Sequence, residues 1–573
     1  MIFIAKLYGR EFMTKKEAAK PRLTELVDLE KDIVPYDLNV IYAGVGAGKN
    51  SIIVGYHDDY TDYDGLAEKY RVLLITSRKA KVIETKHDEN GKNLLTDIRK
   101  MDTICWDKLK SKSVICTNAH FQQRVKDWWE PLFDSKPFWE EFDFIVVDEF
   151  HSIVSDATFT DSSCIVYYLI DQLYNECLRK SGTSQHKTKL VLMTGTPEPV
   201  EPLIKKYNPH ILDYRQKALC ISPNEYCIYN YESAKRKMLE TLLRGEMAVY
   251  YLALFDNLED IISEALNAGI REEQIVVSVS DSRINKELQK NHSTIFKNIE
   301  IFDQALANEK IPEQFLLTIT NSRNKEGINI KTYVDSLIIE THLQSDIVQI
   351  CGRFRNGVRR VVIVSDAEQF EIQPPHAEEE TYQWDYAIRS ANTYLEQILK
   401  EENLDPRNES LYRNKRVQDF IDYIEKSTRL LRYNPFIYRF DKNPCFLQAY
   451  RFYNDSIAAF SRFIDDPTRI SLFVPDKDIS VRIKTDYFTT QEIIEDYFFD
   501  KKYVIGETIF TRENGIEMLK ELNILLHRVF KKAKKYTQLK SLLKVYGYDT
   551  KRVGKTERGQ FMIVPRVVKG EKD

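Results

Sequence analysis

The sequence predicts an α/β fold: two parallel-sheet domains in tandem, followed by a mainly helical C-terminal domain. Three observations carry this. Short, strongly apolar runs recur from Leu38 onward, separated by helix-length polar or amphipathic segments. The rhythm restarts after residue 216. Beyond Gln373, Pro374 and Pro375 the character changes to long charged helices.

Taken in order, residues 1–35 are charged and weakly patterned and read as a lead-in. In the first domain (36–215) the strand candidates are Leu38–Tyr42, Val72–Thr76, Ser113–Cys116, Phe144–Val147 and Leu190–Met193. Runs this apolar suit strands covered on both faces. The second domain (216–368) offers Ala248–Leu254, Ile275–Val279, Phe315–Ile319, Ser336–Glu340 and Val361–Ser365. In the third region (369–573), Glu379–Glu401 and Arg416–Leu431 read as helices. From Arg528 to the end, Lys and Arg outnumber Asp and Glu by about ten, with Lys531, Lys532, Lys534, Lys535, Lys540 and Lys544 among them. There Gln538–Tyr546 reads as a short helix, and Lys551–Val553 with Gln560–Val564 as a hairpin around Gly554–Gly559. Helix then hairpin resembles a winged helix. A basic tail packed on the preceding domains is the alternative.

The balance of 43% hydrophobic and 30% charged residues is that of a soluble globular chain. At a net charge of -4 no global basic field advertises nucleic acid, so such a partner needs local patches. No two of the eight cysteines form a CxxC, which argues against a zinc site or disulfide framework and for free thiols in a reducing cytosol. MIFIAKLYGREFMTKK holds too short an apolar run for a signal peptide, and no stretch suits a membrane span, so a cytoplasmic location without membrane partners is expected.

The most informative segment is Ala43-Gly44-Val45-Gly46-Ala47-Gly48-Lys49-Asn50. A loop that wraps a triphosphate must bring backbone N–H groups to the phosphates, and glycines permit that approach. Gly44, Gly46, Ala47, Gly48 and Ser51 are the expected cradle, with Lys49 reaching the β- and γ-phosphates. The position after the lysine is normally Ser or Thr, whose hydroxyl binds Mg²⁺; here it is Asn50, whose amide oxygen could substitute. Phe144-Ile-Val-Val-Asp148-Glu149-Phe150-His151 sets two carboxylates at the end of a buried strand, where they are costly without a compensating metal or donor. Asp148 reads as a Mg²⁺ holder and Glu149 as the group that orients and deprotonates a water; a helix cap is the competing reading.

The AxxGxGK loop followed by DExH resembles the superfamily 2 helicases of the DExH kind. Further motifs align with that family in order. Thr194-Gly195-Thr196-Pro197 stands where the family couples hydrolysis to strand movement, a role extended to His151. Thr76-Ser77-Arg78, Thr117-Asn118-Ala119-His120 and Thr320 stand where it touches the nucleic-acid backbone. Glu326-Gly327-Ile328-Asn329 follows, placing Gly327 and Asn329 beside the nucleotide. Gln349-Ile-Cys-Gly352-Arg353-Phe354-Arg355-Asn356 matches QxxGRxxR with the second arginine one place early, leaving Arg353 and Arg355 as arginine fingers and Arg359 as a substitute. The resemblance covers residues 40–366.

The resemblance implies two RecA-like domains that bind ATP and Mg²⁺ between them and grip DNA or RNA, single-stranded over at least a tract, across their outer face. Lys49, Asp148 and Glu149 would act from one side and Arg353 and Arg355 from the other, with Gln349 linking them. Lys531, Lys535 and Lys540 would add salt-sensitive affinity. Two other readings stand beside it: an ATP-binding switch or scaffold with a protein partner, and a nucleic-acid-binding module centred on the C-terminal region. No nuclease constellation stands out.

Overall fold

A computed structural model describes residues 22–34, 38–44, 46–57, 62–77, 94–98, 113–128, 138–157, 163–180, 188–215, 225–253, 255–279, 286–306, 308–321, 329–341, 343–366, 383–405, 411, 414–465, 488–531, 534–553 and 559–566.

The first sheet has seven strands: β1 (Leu38–Tyr42), β2 (Val72–Thr76), β3 (Leu95–Asp97), β4 (Ser113–Thr117), β5 (Phe144–Val147), β6 (Lys189–Thr194) and β7 (His210–Asp213). They run parallel in the order β3-β4-β2-β5-β6-β1-β7. Parallel neighbours need crossovers, which cover both faces. The central strands are accordingly buried at every residue. Covering elements include helices α1 (Lys49–Val54), α2 (Asn118–Trp128), α3 (Ser152–Ser155) and α4 (Ser163–Lys180). The supposed lead-in belongs here in part: Leu23, Val27, Leu29 and Ile33 are buried in this core, and the Leu23 N–H donates to the Ala47 carbonyl at 2.9 Å. Its sparse apolar residues gave no period to read.

The second sheet has six parallel strands: β8 (Glu225–Tyr229), β9 (Ala248–Tyr251), β10 (Ile275–Ser278), β11 (Leu317–Thr320), β12 (Val334–Ile339) and β13 (Val358–Val364), ordered β8-β13-β12-β9-β11-β10. Helices α5 (Tyr231–Leu243) and α6 (Gln344–Cys351) lie among its connections. Strands β3, β7 and β8 were not anticipated. β7 pairs on one side only and alternates half-buried with exposed residues, and β8 opens on Glu225, whose charge meets Arg360 of β13 at 2.8 Å. The same pair explains why β13 starts before the expected Val361. Phe315 lies ahead of β11, and β9 stops at Tyr251.

The C-terminal region, expected as one accessory domain, is two units on different halves of the molecule. Helices α7 (Gln383–Glu401) and α8 (Lys415–Ser427), a hairpin of β14 (Leu431–Asn434) and β15 (Arg439–Lys442), and α9 (Pro444–Asp465) form the first. The helix anticipated to Leu431 ends at Ser427, and Leu431 opens the hairpin. Phe436, Cys445 and Ala449 join the core of the first sheet, with the Phe436 ring 5.9 Å from Trp139. The Tyr168 hydroxyl donates to the Lys442 carbonyl at 2.8 Å.

The second unit contains α10 (Thr490–Asp500), β16 (Ile509–Phe510), α11 (Arg512–Val529), α12 (Leu539–Val545), β17 (Tyr548–Arg552) and β18 (Phe561–Pro565). Its antiparallel sheet is ordered β16-β18-β17. Helix, strand, two helices and a hairpin is the order of a winged helix. Ile493, Tyr497, Met518, Leu522 and Leu542 share one core with Met238, Leu242 and Ile261 of the second α/β domain. The cysteines at 116, 164, 227, 351 and 445 are buried thiols that form no disulfide among the described residues. Among the described residues no helix is long and apolar enough to cross a membrane.

Candidate active site

The glycine-rich loop leaves the C-terminal end of β1 and runs straight into α1. Gly46 (φ 89°) and Gly48 (φ 92°) take the left-handed backbone that a side chain would strain. Lys49 is buried; its Nζ donates to the carbonyls of Ala43 (3.1 Å) and Gly44 (3.4 Å) and lies 3.9 Å from Glu149 Oε1. Ala47 is buried and its N–H closes back on the Gly44 carbonyl at 3.2 Å. Ser51 N–H donates to the Gly48 carbonyl at 3.1 Å. Asn50 Oδ1 is buried without a hydrogen-bond partner. An orphaned carbonyl oxygen beside the loop lysine fits a hard cation, which favours oxygen ligands.

Asp148 and Glu149 follow β5. The Asp148 N–H donates to Ile75 of β2 (2.8 Å) and the Phe150 N–H to Met193 of β6 (2.9 Å), so both flanks of the turn are held by neighbouring strands. Glu149 between them is forced to φ 50°, unusual for a residue with a Cβ and costing roughly 1–3 kcal/mol. The strain is sustained because the turn is over-determined, and the Glu149 carboxylate meets partners from both domains.

His151 Nδ1 lies 3.5 Å from Glu149 Oε2 and 3.0 Å from Thr194 Oγ1, and Thr194 Oγ1 accepts from the Thr196 N–H at 3.1 Å. From α6 of the second domain, Gln349 Nε2 donates to Glu149 Oε2 (3.5 Å) and Thr196 Oγ1 (3.4 Å). Arg353 Nη2 donates to Gln349 Oε1 at 3.0 Å and comes within 3.9 Å of Glu149 Oε1. Arg353 and Glu149 are both about 5% exposed, so these charges meet in a water-poor cleft. The structure thus brings Lys49, Glu149, His151, Thr194, Thr196, Gln349 and Arg353 together across the interdomain cleft, with Asp148 beside Glu149 in the chain.

No family model matches this chain, and no curated relative does. Solved structures with which it shares partial likeness include helicases. Saccharomyces cerevisiae Dbp5 bound to RNA and ADP BeF3 aligns at 14% identity over 62% of this chain and 86% of its own, with a TM-score of 0.37. The DUF1998 helicase MrfA bound to DNA aligns at 14% identity over 72% of this chain and 59% of its own, TM-score 0.38. Mycobacterium smegmatis helicase Lhr bound to ssDNA and AMP-PNP aligns at 11% identity over 57% of this chain and 44% of its own, TM-score 0.36. At this level the likeness carries no functional argument.

Other anticipated residues are placed elsewhere. Arg355 turns to Asn329, donating from Nε (2.8 Å) and Nη2 (2.5 Å) to its Oδ1, while Asn329 Nδ2 donates to Glu309 Oε1 at 3.2 Å. Arg359 reaches Glu246 (2.7 Å) and Asp500 (3.3 Å) on the far side of the second domain. Thr117 and Asn118 are buried; Thr117 Oγ1 meets His120 Nδ1 at 2.8 Å and Asn118 Nδ2 donates to Ser152 Oγ at 3.4 Å. Thr320 Oγ1 donates to the Ser278 carbonyl at 3.0 Å. These hydroxyls and the Asn118 Nδ2 make bonds within the fold, while Asn118 Oδ1 is buried without a hydrogen-bond partner. Ser77 is half-buried at the end of β2, and Arg78 and Gly327 lie outside the described residues. Lys531 pairs with Glu264 (2.8 Å), Lys540 with Asp549 (3.5 Å), and Lys535 is exposed.

Sequence reasoning missed the clamp on the Arg353 turn. Ile330 N–H donates to the Arg353 carbonyl (2.8 Å) and Arg355 N–H to the Ile330 carbonyl (2.7 Å). The adjoining segment carries Glu309, an isolated acid with no motif around it.

Proposed function

We propose that this chain is an ATP-driven, nucleic-acid-dependent motor that hydrolyses ATP between its two α/β domains and couples the cycle to movement on a DNA or RNA strand. The observation that carries it is the meeting of Lys49 and Glu149 of one domain with Gln349 and Arg353 of the other around one buried cleft. In this reading 36–215 and 216–368 are the motor domains, and 369–573 is accessory to them.

Lys49 exchanges the Ala43 and Gly44 carbonyls for the phosphates of ATP. Glu149 orients the attacking water and accepts its proton. Arg353 answers the negative charge that spreads over the transferring phosphoryl group, for which a fixed planar cation is suited. Magnesium, bound with the nucleotide, would neutralise phosphate charge, and Asn50 Oδ1 and Asp148 are the residues that would hold it. Because Gln349 bonds Glu149 and Thr196 at once, and His151 bonds Thr194, a change at the phosphate is felt across the cleft and along the end of β6. Arg355 belongs to the support of that site, through Asn329, rather than to the reacting phosphate.

The deciding experiment is steady-state ATP hydrolysis with and without single-stranded DNA and RNA, for wild type, Lys49→Ala and Glu149→Gln. Stimulation by a strand, lost in both variants, is the expected result. A nucleotide switch with weak hydrolysis is the second reading, favoured by Asn50 in the place of a hydroxyl. Tight ATP binding with no strand-stimulated turnover would establish it instead.

A further inference from the structure

We propose that the winged-helix unit is a duplex nucleic-acid grip carried as a fixed part of the second α/β domain. This extends the motor reading, on which only its mechanical consequence depends.

The grip is read from charge and exposure. Among the described residues between 534 and 566, the basic side chains are Lys534, Lys535, Lys540, Lys544, Lys551, Arg552 and Arg566, and the acidic one is Asp549. That single carboxylate, carried on β17, lies 3.5 Å from Lys540 Nζ of α12; a hydrogen bond from the Thr550 N–H is the largest cause that holds its pKa down, and the charges of Lys540 and Lys544 add to it. Strand alternation puts Lys551 on the same face of β17 as Asp549. Lys540, Lys544 and Lys551 therefore border one surface formed by α12 and the hairpin, and all are exposed. The hydrophobic side of α12, Leu542 and Leu543, is spent on the core, so the helix has its polar side free. A short helix and an adjoining hairpin lined with lysines, with one acid among their described residues, suits the two phosphate rows flanking a groove. A chain of net charge -4 that concentrates cations on this one face does so against its overall balance.

Three acids of the unit, Glu492, Asp496 and Asp500, face the second α/β domain, whereas Glu507, Glu513 and Glu517 on its other elements are exposed. Asp496 is fully buried and meets Lys237 (2.6 Å) and Arg360 (3.9 Å) of the second α/β domain. Asp500 pairs with Arg244 and lies 3.3 Å from Arg359. Glu492 accepts from the Tyr229 hydroxyl at 3.0 Å. Lys531 turns to Glu264 of the same domain, so it belongs to this attachment rather than to the exposed face. These three acids thus join the unit to the domain that bears Arg353, and Lys540, Lys544 and Lys551 are left outward. When the cleft closes, the grip moves with that domain.

The test uses the full chain without nucleotide. Binding of a labelled blunt DNA duplex, the matching RNA duplex and a single strand is measured over a series of salt concentrations. The triple variant Lys540→Ala/Lys544→Ala/Lys551→Ala is compared with wild type and with a control, Lys400→Ala/Lys415→Ala/Lys426→Ala, on the other accessory unit. The expected result is duplex affinity reduced on the order of 10- to 100-fold near physiological salt, with the salt slope shallower by about three. The control should match wild type, and thermal melting should be unchanged in both. Unaltered duplex affinity in the triple variant overturns the proposal. So does a loss confined to the single strand, or competition by polyglutamate where the duplex itself does not bind. Loss of ATP turnover in wild type would count against the motor reading and leave the duplex measurement intact.

Discussion

Arg353 and Arg355 both stand where an arginine finger is expected, and replacing each in turn decides between them. Arg353 lies 3.9 Å from the Glu149 carboxylate, and both side chains are nearly excluded from water. A unit charge developing at a similar distance, at the effective dielectric of about 20 found for protein sites, would gain about 4 kcal/mol from that guanidinium. Loss of this term in Arg353→Ala should lower kcat about 10³-fold, since each 1.36 kcal/mol is a factor of ten. ATP affinity should change far less, because the phosphates keep the loop and Lys49. Arg355→Gln removes a side chain that is already held by Asn329, so its kcat should fall by less than about tenfold while thermal stability drops by roughly 1–3 kcal/mol for the buried bonds lost. Single-turnover hydrolysis with pre-bound ATP, alongside nucleotide binding by fluorescence, separates chemistry from affinity. If Arg355→Gln loses as much turnover as Arg353→Ala, the assignment of roles drawn from this geometry is wrong.

Other expectations follow from the same contacts. Glu149→Gln keeps the Gln349 and Thr196 neighbourhood but no base, so ATP binding should persist while turnover falls roughly 10²- to 10⁴-fold, read by phosphate release. Asn50→Thr supplies the usual hydroxyl and should lower the Mg²⁺ concentration needed for half-maximal nucleotide binding; an unchanged requirement would mean that Asn50 is not a ligand. Asp496→Ala leaves Lys237 and Arg360 each with one carboxylate, Glu240 and Glu225, so the cost should lie toward the lower end of about 3–5 kcal/mol, seen as a lower Tm and faster proteolytic release of the C-terminal unit. Burial raises the Asp335 carboxyl pKa, against the pull of the Met247 N–H and Arg359. Its contribution is therefore full below the unfolded value and is lost as pH climbs through the raised one, so Asp335→Asn should gain stability over wild type at neutral pH and lose that gain in acid.

The legible part of the fold was the part that physics makes monotonous. LNVIY, VLLIT and FIVV are almost wholly apolar, with Asn39 and Thr76 the polar members, because both faces of their sheet are covered. HILD was not legible because β7 is an edge strand. EYCIY was not legible because Glu225 is neutralised by a residue over a hundred positions away. The partition of the C-terminal region was hidden for a similar reason: nothing local in the β14–β15 turn or in α9 says that Phe436 and Cys445 belong with Trp139, or in α10 that Asp496 belongs with Lys237. At the site, the glycine loop and the acid pair announced themselves by composition. The direction in which Arg355 turns did not, because it depends on Asn329 and on a backbone clamp that spacing cannot reveal.

The distribution of the accessory units has a topological consequence. The polypeptide passes from the first half of the molecule to the second, back to the first at α7, and again to the second at α10. Three stretches of chain therefore connect the halves, so cutting any one leaves them tethered at a high effective concentration. A nicked molecule should still close on its nucleotide, and severance of the halves should require that all three spans be cut.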